Sequence, residues 1–321
     1  MPPKPTPTQN ASEIAAAEPR SFAIGSHVVP AAKARSGLYL VATPIGNLGD
    51  ITLRALEALA GADVVACEDT RITHRLMERF AIRTPLTPYH EHNAAIARPK
   101  LLARLAQGEA VALVSDAGTP LISDPGFKLV REATAAGHTI VALPGPSSVL
   151  AALAVGALPT DRFFFEGFLP SKHNARRTRL TELARIEATL VLFESGTRVQ
   201  DTLKDLSDIL GQRDGAVCRE LTKLHEEVTR GTLAELAAQA DTLETRGEFV
   251  LLVGPPARGA ERMSDGALDD LLTASLSKHS VKDTVAHAVT LSGRPKREVY
   301  ARALELSSRA KADGESHDDG E

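Results

Sequence analysis

Several absences narrow what this chain of 321 residues can be. Its two cysteines, Cys67 and Cys218, cannot form the disulfide framework of a small secreted scaffold. No apolar run approaches the length of a membrane span, and the first residues lack the continuous apolar core of a signal peptide. These absences predict a soluble protein of the reducing cytoplasm.

The chain also lacks an excess of positive charge. Its 37 Lys and Arg against 41 Asp and Glu leave a net charge of −4, so nucleic-acid binding would require local basic patches. Aromatic residues make up only 4% of the chain, which leaves few rings to stack an extruded base. The 43% hydrophobic and 24% charged residues are typical of a globular protein, and the length allows two or three domains.

The most informative stretch is residues 109–125, with the sequence EAVALVSDAGTPLISDP. It starts with an apolar run, Ala110–Val114, that predicts a buried strand. It then breaks into a polar loop and resumes as a helix start at Ser123–Gly126, where side-chain caps precede a proline. In open α/β sheets ligands bind outside the carboxyl ends of strands, and this loop is long for a simple connection. We therefore interpret it as a binding loop.

Three more predicted strands end in polar loops before a helix, and the four units together predict a mostly parallel sheet with helices on both faces. The strands are Leu38–Ala42, Asp63–Cys67 and Thr139–Leu143, and the loops are Thr43–Asp50, Glu68–Thr73 and Pro144–Ser148. The first loop has neither the Lys-Ser/Thr pair of a P-loop nor the three spaced glycines of a dinucleotide fingerprint. A nucleotide-phosphate site is therefore disfavoured.

Two short polar runs are candidate functional sites. Glu68 and Asp69 stand beside Arg71, a pattern that fits either a polar site or a helix N-cap with a surface ion pair. The run His90–Asn93, His-Glu-His-Asn, follows a proline-rich turn. Alternating histidines can bind a metal, but no second Cys/His pair at ligand spacing accompanies them. We therefore expect loop residues that face a substrate, and no metal site.

A second α/β unit is predicted from about residue 158 to residue 254. Its strands are Arg162–Phe168, Leu190–Phe193, Ala216–Cys218 and Phe249–Val253, and its helices include Arg198–Leu210 and Leu233–Ala240. Residues 172–185 hold a group of basic side chains against Glu182 alone. The basic residues are Lys172, Arg176, Arg177, Arg179 and Arg185. This segment is either a solvated helix face or a contact to nucleic-acid phosphates.

Three short helices are predicted near the C-terminus, at Leu268–Leu276, Val281–Leu291 and Pro295–Leu306. The last two have the pattern of a helix-turn-helix pair, and a helical accessory domain that reads no groove is the alternative. The basic residues of this pair are Lys278, Lys282, Arg294, Lys296 and Arg297. The predicted division is a disordered extension (1–36), two α/β domains (37–157 and 158–254), a linker (255–265), a helical domain (266–308) and a disordered acidic tail (309–321).

Six motifs occur in the order and at the separations seen in one known family. They are Thr43–Leu48, Glu68–Arg71, Ser115–Gly126, Pro144–Ser147, Gly167–Pro170 and Arg219–Lys223. Over about residues 37–306 the chain resembles the ribosomal RNA small subunit methyltransferase I branch of the tetrapyrrole methylase superfamily. It departs from that family at Phe193–Arg198, Phe-Glu-Ser-Gly-Thr-Arg, where we expect a Tyr-Glu-x-Pro-His-Arg run.

The resemblance implies a two-domain α/β fold of the tetrapyrrole methylase type, with S-adenosylmethionine in the cleft between the domains, plus a small C-terminal helical domain. Residues expected to hold the cofactor are Pro44, Gly46, Asp116, Ala117, Gly118, Thr119, Pro144, Gly145, Ser147 and Ser148. The implied reaction is 2′-O-methylation of a decoding-centre cytidine in 16S ribosomal RNA of the small subunit, and we also expect a homodimer. Residues expected to contact RNA are Arg71, Asn93, Lys172, Arg176, Arg177, Arg179, Lys223, Arg294, Lys296 and Arg297.

A base near the 2′-hydroxyl would help to take its proton, and the candidates are Asp116, Glu68, Asp69 and His90, which the sequence does not rank. Three rival functions remain. A methyltransferase for a tetrapyrrole (precorrin-type) substrate is disfavoured by the extra basic helical domain. A nucleotide hydrolase is disfavoured by the missing P-loop lysine, and a non-enzymatic RNA-binding adaptor would not need two elaborate strand-end loops.

Overall fold

A computed structural model describes residues 19–256, 264–276, 279–292 and 294–315. The chain divides into two compact units, Met1–Gly254 and Pro255–Glu321, and each is described by itself. Within the described ranges, no helix is long and apolar enough to cross a membrane.

The first unit opens with an antiparallel hairpin, β1 (Ser21–Ile24) and β2 (His27–Pro30). Phe22 is buried in the core beside the first sheet, and the Ala23 N–H donates to the Phe80 carbonyl oxygen at 2.7 Å. The prediction of a disordered extension over residues 1–36 is therefore wrong for this hairpin, and residues 1–18 lie outside the described residues. A four-residue strand with one buried ring has too little periodicity to be found from sequence, since its order comes from contacts with residues far along the chain.

The first sheet has five parallel strands in the order β5-β4-β6-β3-β7, which confirms the predicted parallel sheet. The strands are β3 (Gly37–Val41), β4 (Val64–Cys67), β5 (Leu86–Pro88), β6 (Ala110–Val114) and β7 (Ile140–Leu143). The helices are α1 (Leu53–Gly61), α2 (Thr70–Arg79), α3 (Ala94–Ala106), α4 (Phe127–Ala135) and α5 (Ser148–Val155). Residues of α1 and α2 bury one face of the sheet and residues of α3 and α4 bury the other. This two-sided burial explains why β4 and β6 are apolar at every position.

The second sheet is mixed, with the order β11-β10-β12-β9-β8, and only β8 and β9 are parallel. Its strands are β8 (Phe163–Phe168), β9 (Thr189–Ser195), β10 (Asp214–Arg219), β11 (Glu227–Thr232) and β12 (Glu248–Val253). Its helices are α6 (His173–Leu183), α7 (Val199–Leu210) and α8 (Leu233–Ala238), which cover one face. The sequence does not predict β11, because this edge strand is mostly polar and is held by backbone pairing to β10.

The other face of the second sheet meets the first half of the unit. Val149 and Leu153 of α5 share a buried cluster with Val250 and Leu252 of β12. Ile45, from the loop after β3, belongs to the same cluster. The strand-end loops of the first sheet are therefore held against the second sheet, and this arrangement positions the candidate site.

The second unit contains three helices among its described residues: α9 (Asp265–Leu276), α10 (Val281–Ser292) and α11 (Lys296–Glu315). Leu268 and Leu272 of α9 pack with Val285 of α10 and Val299 of α11 in a core of their own. The predicted helices are confirmed, but α11 continues to Glu315 where a disordered tail was expected from residue 309. Its extra residues include Ala310, Lys311 and Ala312, which are residue types of high intrinsic helix propensity. Residues 257–263 of the predicted linker and 316–321 of the tail lie outside the described residues.

Candidate functional site

A cavity of about 330 Å³ lies between the strand-end loops of the first sheet and the second sheet. On the first side it is lined by Ala117, Gly118 and Thr119 after β6, and by Ser147 and Ser148 at the start of α5. On the second side the lining comes mainly from β8, β9 and β12 and the residues beside them. These include Phe168, Phe193, Glu194, Ser195, Gly247, Glu248 and Phe249. The volume is that of a small-molecule site.

Hydrogen bonds fix the loop after β6 at this cavity. Gly118 and Thr43 exchange backbone hydrogen bonds of 2.9 Å in both directions. The Thr43 hydroxyl donates to the Ser115 carbonyl oxygen at 3.0 Å, and the Thr119 hydroxyl donates to the Pro146 carbonyl oxygen at 3.2 Å. Gly118 has φ +82°, a left-handed conformation that glycine adopts without strain. These hydrogen bonds tie the loops after β3, β6 and β7 together, and residues 117–119 line the cavity.

Five of the residues predicted to hold the cofactor line the cavity: Ala117, Gly118, Thr119, Ser147 and Ser148. The other five lie in the supporting part of the same loops and outside the cavity lining. They are Pro44, Gly46, Asp116, Pro144 and Gly145. The predicted loops are therefore brought together by the fold, while the role of each residue stays a prediction.

A cluster of carboxyl groups lies where β4 and β6 end. The Asp69 backbone N–H donates to Asp116 Oδ1 at 2.9 Å, which joins the two loops. Burial raises the pKa of Glu68, and the nearby charge of Asp116 raises it further. Burial also raises the pKa of Asp116. The cluster therefore concentrates negative charge at one edge of the sheet, in partly buried surroundings.

Asp124 is the member of this cluster that lines the cavity. Burial, followed by the charges of Glu68 and Asp116, raises the pKa of Asp124 to about 6, although a hydrogen bond with Ser115 opposes the shift. A carboxyl group with such a pKa is ionised near neutral pH and still basic enough to accept a proton. Asp124 is not among the site residues predicted from the sequence, because its position beside a proline is explained by the helix start.

Asp69 has a different part from the rest of the cluster. Its carboxylate accepts from the Arg71 backbone N–H at 2.8 Å, at the start of α2, and from Arg71 Nη2 at 2.6 Å. These hydrogen bonds from Arg71 lower the pKa of Asp69 to about 2. Of the two interpretations left open by the sequence, the helix cap with a surface ion pair is the one seen for Asp69 and Arg71.

The His90–Asn93 turn leads into α3. Asn93 Oδ1 accepts from the His90 backbone N–H at 2.9 Å, and Asn93 Nδ2 donates to the Pro88 carbonyl oxygen at 3.0 Å. Asn93 thus fixes the turn, while the buried His90 Nδ1 has no hydrogen-bond partner among the described residues. Across the part of the chain that the structure describes, no group of three or more His, Cys, Asp or Glu is placed to hold a metal ion.

The arginines of α6 are engaged in ion pairs. Arg176 is only 4% exposed, and its Nε donates to Asp205 Oδ2 of α7 at 2.7 Å. The prediction that Arg176 contacts RNA is therefore wrong, since its guanidinium is buried between two helices. Arg177 pairs with Asp205 and Asp208, and Arg179 pairs with Glu166 and Glu182. Both are partly exposed, so their contacts with RNA stay predictions.

The remaining basic candidates differ in exposure. Lys172, Lys296 and Arg297 are exposed. Lys223 Nζ pairs with Glu220 at 2.7 Å and with Glu248 at 3.0 Å, while its aliphatic stem lies against Gly46. Arg294 is mostly buried and pairs with Asp265 and Glu298 inside the second unit. The exposed group is better placed for phosphates, because its members are free to reach a partner at the surface.

The segment that departs from the expected family pattern has a clear structural part. The Glu194 side chain is fully buried, and its carboxylate accepts from the Ser195 backbone N–H at 2.8 Å and the Thr202 hydroxyl at 2.7 Å. Arg198 pairs with it at 3.3 Å. Glu194 and Arg198 therefore hold the end of β9 to the start of α7, and Glu194 also lines the cavity together with Phe193 and Ser195.

Comparisons with known proteins agree with this arrangement. The family described as Tetrapyrrole (Corrin/Porphyrin) Methylases matches residues 37–237, and the family described as RsmI C-terminal HTH domain matches residues 262–307. The chain is 49% identical over 287 residues to "Ribosomal RNA small subunit methyltransferase I" of Mesorhizobium japonicum, covering 88% of this chain and 96% of that protein. The protein of the same name from Xylella fastidiosa strain Temecula1 is 46% identical, over 82% of this chain and 97% of its own length.

Solved structures support the fold alone. The crystal structure of the methyltransferase CobJ matches with a TM-score of 0.52 and 22% identity, covering 69% of this chain and 95% of that one. The crystal structure of diphthine synthase matches with a TM-score of 0.54 and 16% identity, covering 68% and 89%.

Proposed function

Since the chain belongs to the tetrapyrrole methylase family and, within it, to the ribosomal RNA small subunit methyltransferase I proteins, we propose that it transfers a methyl group from S-adenosylmethionine to 16S ribosomal RNA. We propose the 2′-hydroxyl of a decoding-centre cytidine as the acceptor. The observation that carries the proposal is the similarity to the Mesorhizobium japonicum protein. That similarity reaches 49% identity and covers 88% of this chain, so it includes parts of both units. The rival readings as a nucleotide hydrolase and as a binding adaptor have no such support.

The residues around the cavity fit S-adenosylmethionine. Ala117, Gly118 and Thr119 line the cavity beside Ser147 and Ser148, and Gly118 adds no side chain to the lining. Backbone and hydroxyl groups of such a lining can bind the polar parts of a nucleoside and an amino acid. When bound, the cofactor supplies an electrophilic methyl group on a positively charged sulfur. The protein then has to orient the acceptor hydroxyl and accept its proton.

Asp124 is our choice as the group that accepts this proton. It lines the cavity, and its pKa of about 6 leaves it ionised at neutral pH. Glu68 and Asp116 face it and raise its basicity, so we assign them a supporting part. Asp69 is disfavoured because its low pKa makes it a weak base. His90, near Glu68, stays a candidate as a neighbour of the cluster.

We propose that RNA docks on exposed basic side chains outside the cavity, among them Lys172, Lys296 and Arg297. These residues could contact phosphates without taking part in the reaction. We also propose a cytoplasmic homodimer. Light scattering of the purified protein tests this, since a mass of one chain would contradict it.

The function is tested by transfer of a labelled methyl group to small ribosomal subunits that lack the modification. The labelled RNA is then hydrolysed with alkali. A 2′-O-methyl group prevents cleavage of the adjacent phosphodiester, so we expect the label in an alkali-resistant dinucleotide. Label recovered in a single nucleotide would place the methyl group on a base, and transfer to a precorrin-type substrate in place of RNA would favour the tetrapyrrole function.

A further inference from the structure

Three phenylalanines of β8 and β9 form a cluster at the cavity. The ring centroids of Phe165 and Phe193 are 5.0 Å apart, those of Phe168 and Phe193 are 5.6 Å apart, and both pairs meet edge to face. Phe168 lines the cavity, yet it is 58% exposed. Ile122 lines the same cavity and is 43% exposed. Two large apolar side chains that stay exposed inside one cavity mark a surface that a ligand can cover.

A β-bulge places Phe168 on this side of the sheet. In a regular strand Phe164 and Phe168 would share one face, since side chains alternate. Phe164 does pack with the α6 and α7 side of the sheet, but the pairing with β9 shifts by one residue between Phe165 and Gly167. Gly167 has φ +74°, which permits the bulge. Phe168 consequently pairs with Phe193 on the cavity side instead of being buried beneath α6.

We infer that Phe168 is a stacking site for a planar heteroaromatic ring in the cavity, either the adenine of the cofactor or a base of the RNA. This inference rests on the proposed function and assigns a contact within it. Contact with Phe193 fixes the phenyl ring, and an aromatic face binds any base through stacking. Asp124 and Ser195, which line the same cavity, can accept or donate hydrogen bonds at a ring edge. The aromatic residues are few, but one is placed where a ring can be stacked.

The chain contains no tryptophan, which permits a direct test. Phe168→Trp introduces the only indole, whose fluorescence a stacked base quenches. The matched control is Phe163→Trp, since Phe163 lies on the same strand, is 46% exposed and is outside the cavity lining. Each protein is titrated with S-adenosylhomocysteine, and separately with a small-subunit RNA fragment. Saturable quenching of the tryptophan at 168 but not at 163 is expected. Quenching by S-adenosylhomocysteine would identify adenine, and quenching by RNA alone would identify an RNA base.

A second pair of variants separates stacking from simple apolar contact. Phe168→Tyr keeps an aromatic face, whereas Phe168→Leu keeps apolar bulk without one. For the ligand identified by fluorescence, we expect affinity within about twofold for the tyrosine variant and a loss of roughly tenfold for the leucine variant. Equal affinity in the two variants would overturn the inference.

The remaining outcomes separate this inference from the proposed function. If calorimetry shows that the Phe168→Trp protein binds S-adenosylhomocysteine and RNA while its fluorescence is unchanged, stacking at Phe168 is wrong and the proposed function stands. Equal quenching at positions 163 and 168 would also overturn the inference, since it reports a general change. If the wild-type protein binds no S-adenosylhomocysteine, the proposed function itself fails, and the inference fails with it.

Discussion

At the scale of single residues, Asp124 joins stability to chemistry. Burial and two neighbouring carboxylates, Glu68 and Asp116, oppose its ionisation and raise its pKa to about 6. The folded protein therefore holds a proton that the unfolded chain releases between about pH 4 and pH 6. Protonated Asp124 therefore stabilises the folded protein below about pH 4, and this contribution to the free energy of unfolding is lost as the pH rises to about 6. At neutral pH the ionised Asp124 carboxylate therefore destabilises the folded protein, and carboxyl groups with raised pKa values of this kind are common at functional sites.

We predict that Asp124→Asn stabilises the protein by roughly 2 kcal/mol at about pH 7.5, a figure that allows for screening of the partly exposed side chain by water, and that the gain disappears near pH 4. The amide removes the buried charge, so the variant escapes the loss that the wild type suffers as the pH rises. Urea unfolding of both proteins across this pH range measures the difference. Asp161→Asn, at an exposed position, is the control and should change little. A gain that is the same at every pH would contradict the argument.

The same residue should control the rate of methyl transfer. We expect the single-turnover rate of the wild type to rise with pH to a plateau above about pH 6, and Asp124→Asn to lower it roughly 100-fold and flatten this rise. Glu68→Gln should instead move the midpoint to lower pH, because it removes a charge that raises the pKa of Asp124. An Asp124→Asn profile that keeps the wild-type shape would assign the proton to another group.

Gly118 tests the cofactor loop at the same scale. The backbone at Gly118 has a left-handed conformation that other residues rarely adopt, and an added Cβ would lie only 3.3 Å from Ile45 Cγ2. We predict that Gly118→Val abolishes binding of S-adenosylhomocysteine in calorimetry, while unfolding stays cooperative. Gly108→Val is the matched control, since Gly108 has nearly the same φ, +81°, with nothing within 4 Å of an added Cβ. If Gly118→Val bound S-adenosylhomocysteine with wild-type affinity, the assignment of this loop to cofactor binding would be wrong.

At the scale of elements, α6 shows how a basic segment can be structural. The Arg176–Asp205 pair joins α6 to α7, with both side chains about 5% exposed or less. The same helix carries Arg179, which is 36% exposed and pairs with Glu166 and Glu182. The two arginines are three positions apart in the sequence, but their different burial means that their ion pairs contribute differently to the free energy of unfolding. Removing one partner of a fully buried pair leaves an uncompensated charge, whereas a pair whose guanidinium is partly exposed is screened by water and contributes less.

We therefore predict that Arg176→Gln lowers the free energy of unfolding by about 3 kcal/mol, and Arg179→Gln by only about 1 kcal/mol. Urea unfolding measures both. The salt dependence of RNA binding should not change in Arg176→Gln, whereas Lys296→Gln should reduce the slope by about one if it contacts a phosphate. If Arg176→Gln reduced the salt dependence of RNA binding and left the stability unchanged, Arg176 would have to be a contact to RNA and not a packing residue.

At the scale of the whole molecule, the two units divide the proposed work. All residues that line the cavity fall between Ile45 and Val250, inside the first unit. The second unit has its own core around Leu272, Val285 and Val299, together with exposed basic residues. We expect the first unit to bind the cofactor and the second to add affinity for RNA.

The corresponding prediction concerns the chain ended after Gly254. It should bind S-adenosylhomocysteine with wild-type affinity in calorimetry, because no cavity residue is removed. Its affinity for the small subunit should fall at least roughly tenfold, since several phosphate contacts are lost. Unchanged affinity for the small subunit would show that docking depends on the first unit alone.

The sequence by itself determined the parallel sheet and the loops that carry the site. Apolar runs such as Ala110–Val114 are buried on both faces of the sheet, and a continuous apolar run is enough to predict such burial from the local sequence. The break that follows each run predicted a loop at the strand's carboxyl end, and parallel strands bring such loops to one edge. The three helices of the second unit were predicted for a similar reason, since each carries an apolar periodicity.

Only the tertiary structure decided which side chains the loops present and which they bury. Arg176 meets Asp205 across 29 positions of chain, and this contact turns an apparent phosphate ligand into a packing group. Asp124 acquires its raised pKa from burial in the folded chain and from the charge of Glu68, which follows a different strand. Phe168 reaches the cavity through a one-residue shift in pairing with β9. Each outcome depends on a partner distant in sequence, and local periodicity carries no information about that partner.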